Sequence, residues 1–63
     1  MNKVDAEQIA LRFFEQHHDV DNINVEGLEN GMWLVEGKIF SSSGKSIKKL
    51  RIDDKSGKIV AVE

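Results

Sequence analysis

The chain contains no cysteine, no proline and no tyrosine. Without cysteine, neither a disulfide framework nor a thiolate metal site is open to it. That absence matters because the chain is only 63 residues long. A domain of about 60 residues buries only roughly 60% of the surface its unfolded chain exposes. Folds of this size usually lean on a crosslink, a metal or oligomerisation. What remains here is a well-packed minimal core, self-association or a partner. Apolar runs never exceed four residues, far short of the roughly 20 needed to span a bilayer. The start, Met1-Asn-Lys-Val-Asp5, leads into a polar helical pattern and not an apolar signal segment. One domain covering residues 1–63 is expected, with the cytoplasm as its address.

The rest of the composition is ordinary for a globular chain, 40% hydrophobic and 32% charged, with a net charge of −2. The charge is unevenly spread. Residues 1–36 carry Lys3 and Arg12 against eight acidic side chains, a net −6, while residues 37–63 carry seven cations against three acids, a net +4. An asymmetry of this kind marks either an anionic partner or an acidic helix set beside a lysine-rich sheet.

The clearest element is a helix predicted over residues 5–18. Ala6, Ile9, Ala10, Phe13, Phe14 and His17 fall on the i, i+3, i+4, i+7 spacing of one face. Asp5 is positioned as N-cap with Gln8 at N3, and Val4 with Ile9 forms a hydrophobic staple. After Asp19 the period changes to two. Ile23 and Val25 alternate with polar residues, as do Trp33, Val35 and Ile39 further on. A three-residue loop, Glu29-Asn30-Gly31, with glycine in a G1 bulge, sets Val25 against Val35, Ile23 against Gly37 and Gly27 against Trp33. A serine-rich tip over 41–45 leads to a third strand at 46–53, and a fourth follows at 58–62. In that last hairpin Ile52 meets Ile59 and Leu50 meets Ala61, while Arg51 and Lys49 meet Val60 and Val62. The expected fold class is α+β, with an N-terminal helix packed on a four-stranded antiparallel meander sheet in the order α-β-β-β-β.

The pattern assigns Ile23, Val25, Trp33, Val35, Ile39, Leu50, Ile52 and Ile59 to the face under the helix. Leu28, Met32, Leu34, Phe40, Ile47, Val60 and Val62 fall on the other face, among Glu26, Glu36, Lys38, Lys49 and Arg51. Contiguous apolar surface on a small domain marks an interface. These seven residues are therefore the candidate interface, for a homodimer or a partner protein.

Chemistry-bearing motifs are few. Gly44-Lys45-Ser46 ends like a phosphate-binding loop, but residue 39 is isoleucine where that motif needs glycine, and a strand follows where it needs a helix. His17 and His18 are adjacent, so they diverge by about 100° around a helix and cannot chelate one ion together. Asp53-Asp54 lacks the alternating oxygen ligands of a calcium loop. As a turn it makes sense: Asp53 accepts backbone N–H groups and Gly57 supplies positive φ. No cofactor, no metal and no catalytic constellation is expected, so the chain reads as a non-enzyme. A competing reading is a nucleic-acid binder using Lys45, Lys48, Lys49, Arg51, Lys55 and Lys58. The overall negative charge and the commitment of Trp33 to the core weigh against it.

Trp33-Leu-Val-Glu-Gly37, a glycine-containing hairpin tip, and Leu50-Arg-Ile-Asp53-x-x-x-Gly57-Lys-Ile59-Val60 together resemble the PepSY domain. The likeness covers nearly the whole chain in order of elements, through a short hairpin motif. It implies a non-enzymatic module that regulates or inhibits peptidases, although the expected absence of a signal segment departs from many members. Ile23-Asn-Val25-Glu-Gly27 is also similar to the inhibitory hairpin of cystatins, but it lacks the glutamine and lies within a strand. The expectation is thus a small protein-interaction or regulatory module, with no membrane contact.

Overall fold

A computed structural model describes residues 1–63. Helix α1 spans Lys3–Glu15, and strands β1 Asp19–Glu29, β2 Met32–Ser41, β3 Gly44–Asp53 and β4 Ile59–Val62 follow. The four strands form one antiparallel sheet in sequence order, β1-β2-β3-β4. The α-β-β-β-β meander with one covering helix matches the expected fold. No helix is long and apolar enough to cross a membrane.

The helix cap lies three residues earlier than expected. Asn2, not Asp5, is the N-cap: its side-chain oxygen accepts the Asp5 N–H at 2.9 Å, and Asp5 reaches back to the Asn2 N–H at 3.2 Å. Asn2-x-x-Asp5 is a capping box in its own right. Asp5 becomes the acidic residue of the first turn, where the positive end of the helix dipole favours it. Val4 is 64% exposed and staples nothing. The helix also ends sooner. Phe14 O accepts from both His17 N–H and His18 N–H, at 3.2 and 3.0 Å, closing the last turn. Both histidines are exposed beyond it, so His17 does not continue the apolar stripe.

The core comes from one helix stripe and the inner sheet face. Ala6, Ala10 and Phe14 recur every four residues and are buried against Val25, Val35, Ile39, Leu50 and Ile52. The two alanines let the helix lie close. Phe14 fills the space above Gly37, where an added Cβ would overlap the ring and come within 2.8 Å of Cζ. Burying a side chain of this size contributes about 2–3 kcal/mol. Ile9, Phe13, Val20, Ile23, Trp33 and Ile59 pack around this centre.

Two of the three register shifts decide the faces of the candidate residues. Val25 does pair with Val35 and Ile23 with Gly37, as expected. The turn that achieves it is different. Asn30 and Gly31 form a two-residue turn with φ of 52° and 76°, the I′ type that matches strand twist. The extra residue sits instead in β1, as an irregularity between Val25 and Gly27. Gly27 consequently faces Leu34, and Leu28 faces Trp33. A second bulge lies in the last hairpin, between Arg51 and Ile52. Ile52 still meets Ile59, but Leu50 meets Val62 and Arg51 meets Ala61, one step from the expected register. The serine-rich tip shrinks to a two-residue turn, Ser42-Ser43, because β2 runs to Ser41 and β3 starts at Gly44.

Candidate interaction surface

α1 packs on one side of the sheet, and the other side is uncovered. Its rows follow from the unbroken β2–β3 register: Met32 with Asp53, Leu34 with Arg51, Glu36 with Lys49, Lys38 with Ile47 and Phe40 with Lys45. Successive residues of a strand alternate sides, so these rows share a face opposite Val35, Leu50 and Ile52. Each outer row therefore pairs an apolar with a charged side chain, except the middle row, which is charged on both strands. Leu34 and Met32 are half-buried, whereas Phe40 is 41% and Ile47 58% exposed. Beside Leu34 lies a depression of about 160 Å³ flanked by Glu26, Lys49, Arg51 and Glu63. Arg51 is held there by Glu63 at 3.5 Å.

The seven candidate interface residues do not share this face. Met32, Leu34, Phe40 and Ile47 do. Leu28 pairs with Trp33, and Val62 with Leu50, which puts both on the helix side, past its cover. Val60 is the extra residue of the bulge. The physical reason is the same in both cases, since one inserted residue inverts the alternation beyond it. Ala61, which shares a row with Arg51, belongs to the outer face instead. A sequence reading without the bulge assigns it to the core side.

The cations of the alternative patch are likewise dispersed. Lys45 and Lys49 lie in outer-face rows with Phe40 and Glu36, whereas Lys48 pairs with Gly37 on the helix side. Lys45 is 5.6 Å from the Phe40 ring centroid and 3.7 Å from Asp21. Lys55 and Lys58 belong to the terminal turn and its exit. The six do not form one surface.

The terminal turn is organised by its two aspartates. Asp53 Oδ2 accepts the Ser56 N–H at 2.7 Å, and Gly57, at φ 73°, donates its N–H to Asp53 O at 2.8 Å. The hydrogen bonds that its carboxylate accepts hold the Asp53 carboxyl below its ordinary pKa of 3.8. The Ser56 backbone N–H is the largest cause, followed by the Ser56 side chain. Asp54 has a role that spacing did not reveal. Its Oδ1 accepts from Trp33 Nε1 at 2.6 Å, and its N–H donates to Gly31 O at 3.0 Å. At the opposite end of the molecule, His17 and His18 line an open polar cleft with Glu15, Asp19 and Ser42. No group of three or more His, Asp or Glu side chains converges to hold a metal ion. No protein-family model, curated protein or solved structure matches this chain.

Proposed function

We propose that the chain is a non-enzymatic protein-interaction module that works through the outer face of its sheet, in its simplest form as a back-to-back homodimer. The observation that carries this reading is the uncovered face of β2 and β3, on which Leu34, Phe40 and Ile47 flank the Glu36–Lys49 row. Apolar surface left outside the core of a small domain is offset by burial against a second body. The face carries both signs of charge, so a two-fold axis can set Glu36 of one copy against Lys49 of the other, as an isologous contact requires. The resemblance of the terminal hairpin to PepSY domains extends the reading to a regulatory role, with peptidases as a partner class. The lysine-based nucleic-acid alternative has weaker support, because its cations are divided among two faces and a turn.

Sedimentation velocity across a concentration series tests the dimer. The expected result is a reversible shift from monomer to dimer. A single monomeric species up to millimolar concentration overturns it.

A further inference from the structure

The sheet has two edges, and they differ in how open they are. β1 is eleven residues long, but its pairing is interrupted between Val20 and Asn22 and again between Val25 and Gly27. It also carries Asp19, Asp21, Glu26 and Glu29 with no cation. Bulges and like charges are the means by which edge strands resist further pairing. The other edge is composite. β4 has four residues against ten in β3, so it covers only part of that strand. Their pairing runs from Leu50 to Ile52. Lys49 extends it by exchanging backbone hydrogen bonds with Glu63 at 2.9 and 2.8 Å.

In an antiparallel ladder, residues that bond toward a given neighbour recur at every second position. Lys49 sets that phase. Ile47 and Lys45 therefore turn their N–H and C=O groups to the same edge as Lys49, where no strand of the chain lies. Gly44, Ser46 and Lys48 bond the other way, into β2. The result is a notch along Gly44–Lys48, roughly 17 Å long at about 3.4 Å per residue. The β2–β3 register is unbroken across it, so no bulge interrupts the notch. Lys45, Lys48 and Lys49 surround it, all exposed. Lys45 leans toward Asp21 at 3.7 Å, whereas Lys48 and Lys49 have no carboxylate within salt-bridge distance.

We infer that this notch accepts an extended acidic segment of a partner protein as an added strand, bonded to Lys45 and Ile47 and charge-matched to Lys48. Main-chain bonds supply the docking and alternate side chains the selectivity. Ligand residues that share the face of Ile47 are apolar, and those that share the face of Lys48 are acidic. A second copy of the chain fits poorly. Joined notch to notch, two copies would oppose the same three lysines. β1 has the right overall charge, but its uninterrupted stretch, Asn22–Val25, contains no acid. The notch is defined by the free backbone groups of Lys45 and Ile47 and the outer face by side chains, with Ile47 belonging to both, so this proposal does not rest on the dimer reading.

The test is an NMR titration of the isotope-labelled chain with the acetylated, amidated peptide Glu-Val-Glu-Val-Glu. The expected result is shifted and exchange-protected amides at Lys45 and Ile47, with binding that weakens as salt is raised. A Lys-Val-Lys-Val-Lys peptide does not bind, and N-methylation of alternate peptide groups abolishes binding. Lys48→Glu, on an exposed side chain, weakens binding by roughly fivefold. Undisturbed Lys45 and Ile47 amides at millimolar peptide overturn the proposal, as does equal binding of the basic peptide. Protection of those two amides that rises with protein concentration alone overturns it in favour of a second copy. A Leu34→Glu chain, altered on the outer face, is expected to bind the peptide unchanged, which separates failure of this proposal from failure of the dimer.

Discussion

Trp33 Nε1 donates to Asp54 Oδ1 at 2.6 Å, joining residues 21 positions apart. Asp54 also donates its backbone N–H to Gly31 O, so one residue of the last hairpin clasps the turn of the first. The amino-terminal ammonium lies 3.8 Å from the same carboxylate oxygen. The three contacts close the end of the sheet from which β4 starts. Asp54→Ala removes the acceptor and is expected to cost about 1–2 kcal/mol. Asp54→Asn keeps an acceptor oxygen and should lose less. Urea unfolding followed by far-UV circular dichroism checks both. Equal stability of Asp54→Ala and the parent would show that the clasp contributes nothing.

Gly37 is needed for its missing side chain and not for an unusual φ, because the Phe14 ring occupies the place of its Cβ. Gly37→Ala forces the ring or the helix to move, an overpacking cost of about 1–3 kcal/mol. Combining it with Phe14→Leu should recover part of that loss, since the two residues compete for one volume. A double-mutant cycle by chemical denaturation reads the coupling. Strict additivity would contradict the contact.

Helix existence, strand count and the inner face were legible in the sequence because they rest on periodicity, and periodicity survives small errors of position. Val25, Val35, Ile39, Leu50 and Ile52 are all buried where the alternation puts them. Positions beyond an inserted residue were not legible. The bulges at Glu26 and Val60 cost one residue of register each, and that moves Leu28, Ala61 and Val62 across the sheet. Gly27, at φ 153° beside the first bulge, is a sequence sign of it, whereas no comparable residue marks the second. The N-cap was misplaced for a different reason. Asn2-x-x-Asp5 and Asp5-x-x-Gln8 are both capping boxes, and the choice depends on where the first turn meets the sheet. The Trp33–Asp54 bond was invisible because it joins two hairpins.

Asn2 is therefore the residue to change at the helix start. Asn2→Ala should cost about 1 kcal/mol and Asn2→Asp very little. Gln8→Ala, three residues too far along to serve the cap, should leave stability unchanged. Thermal or urea unfolding distinguishes the two assignments. A larger loss at Gln8 than at Asn2 would return the cap to Asp5.

Asp53 gives the terminal turn a pH dependence of known sign. Its folded pKa is depressed because the ionised carboxylate accepts from Ser56. Such a group contributes stability above its unfolded value, near 3.8. That contribution is lost as pH falls through this value toward the lower folded one. The parent should thus lose more stability than Asp53→Asn between pH 5 and the acid limit (roughly two units lower). Parallel pH profiles of the two chains would remove Asp53 as the cause.

Exposure alone does not decide which side of the sheet meets another body. Ile47 at 58% and Val62 at 52% are almost equally exposed, yet they lie on opposite faces. The direct measurement is sedimentation velocity of Ile47→Glu with Leu34→Glu on one side and Val62→Glu on the other, each at several concentrations. The outer-face changes are expected to abolish dimer formation while Val62→Glu dimerises like the parent. Dimers that persist in the outer-face variants and disappear in Val62→Glu would contradict this expectation, and so would a parent chain that remains monomeric throughout.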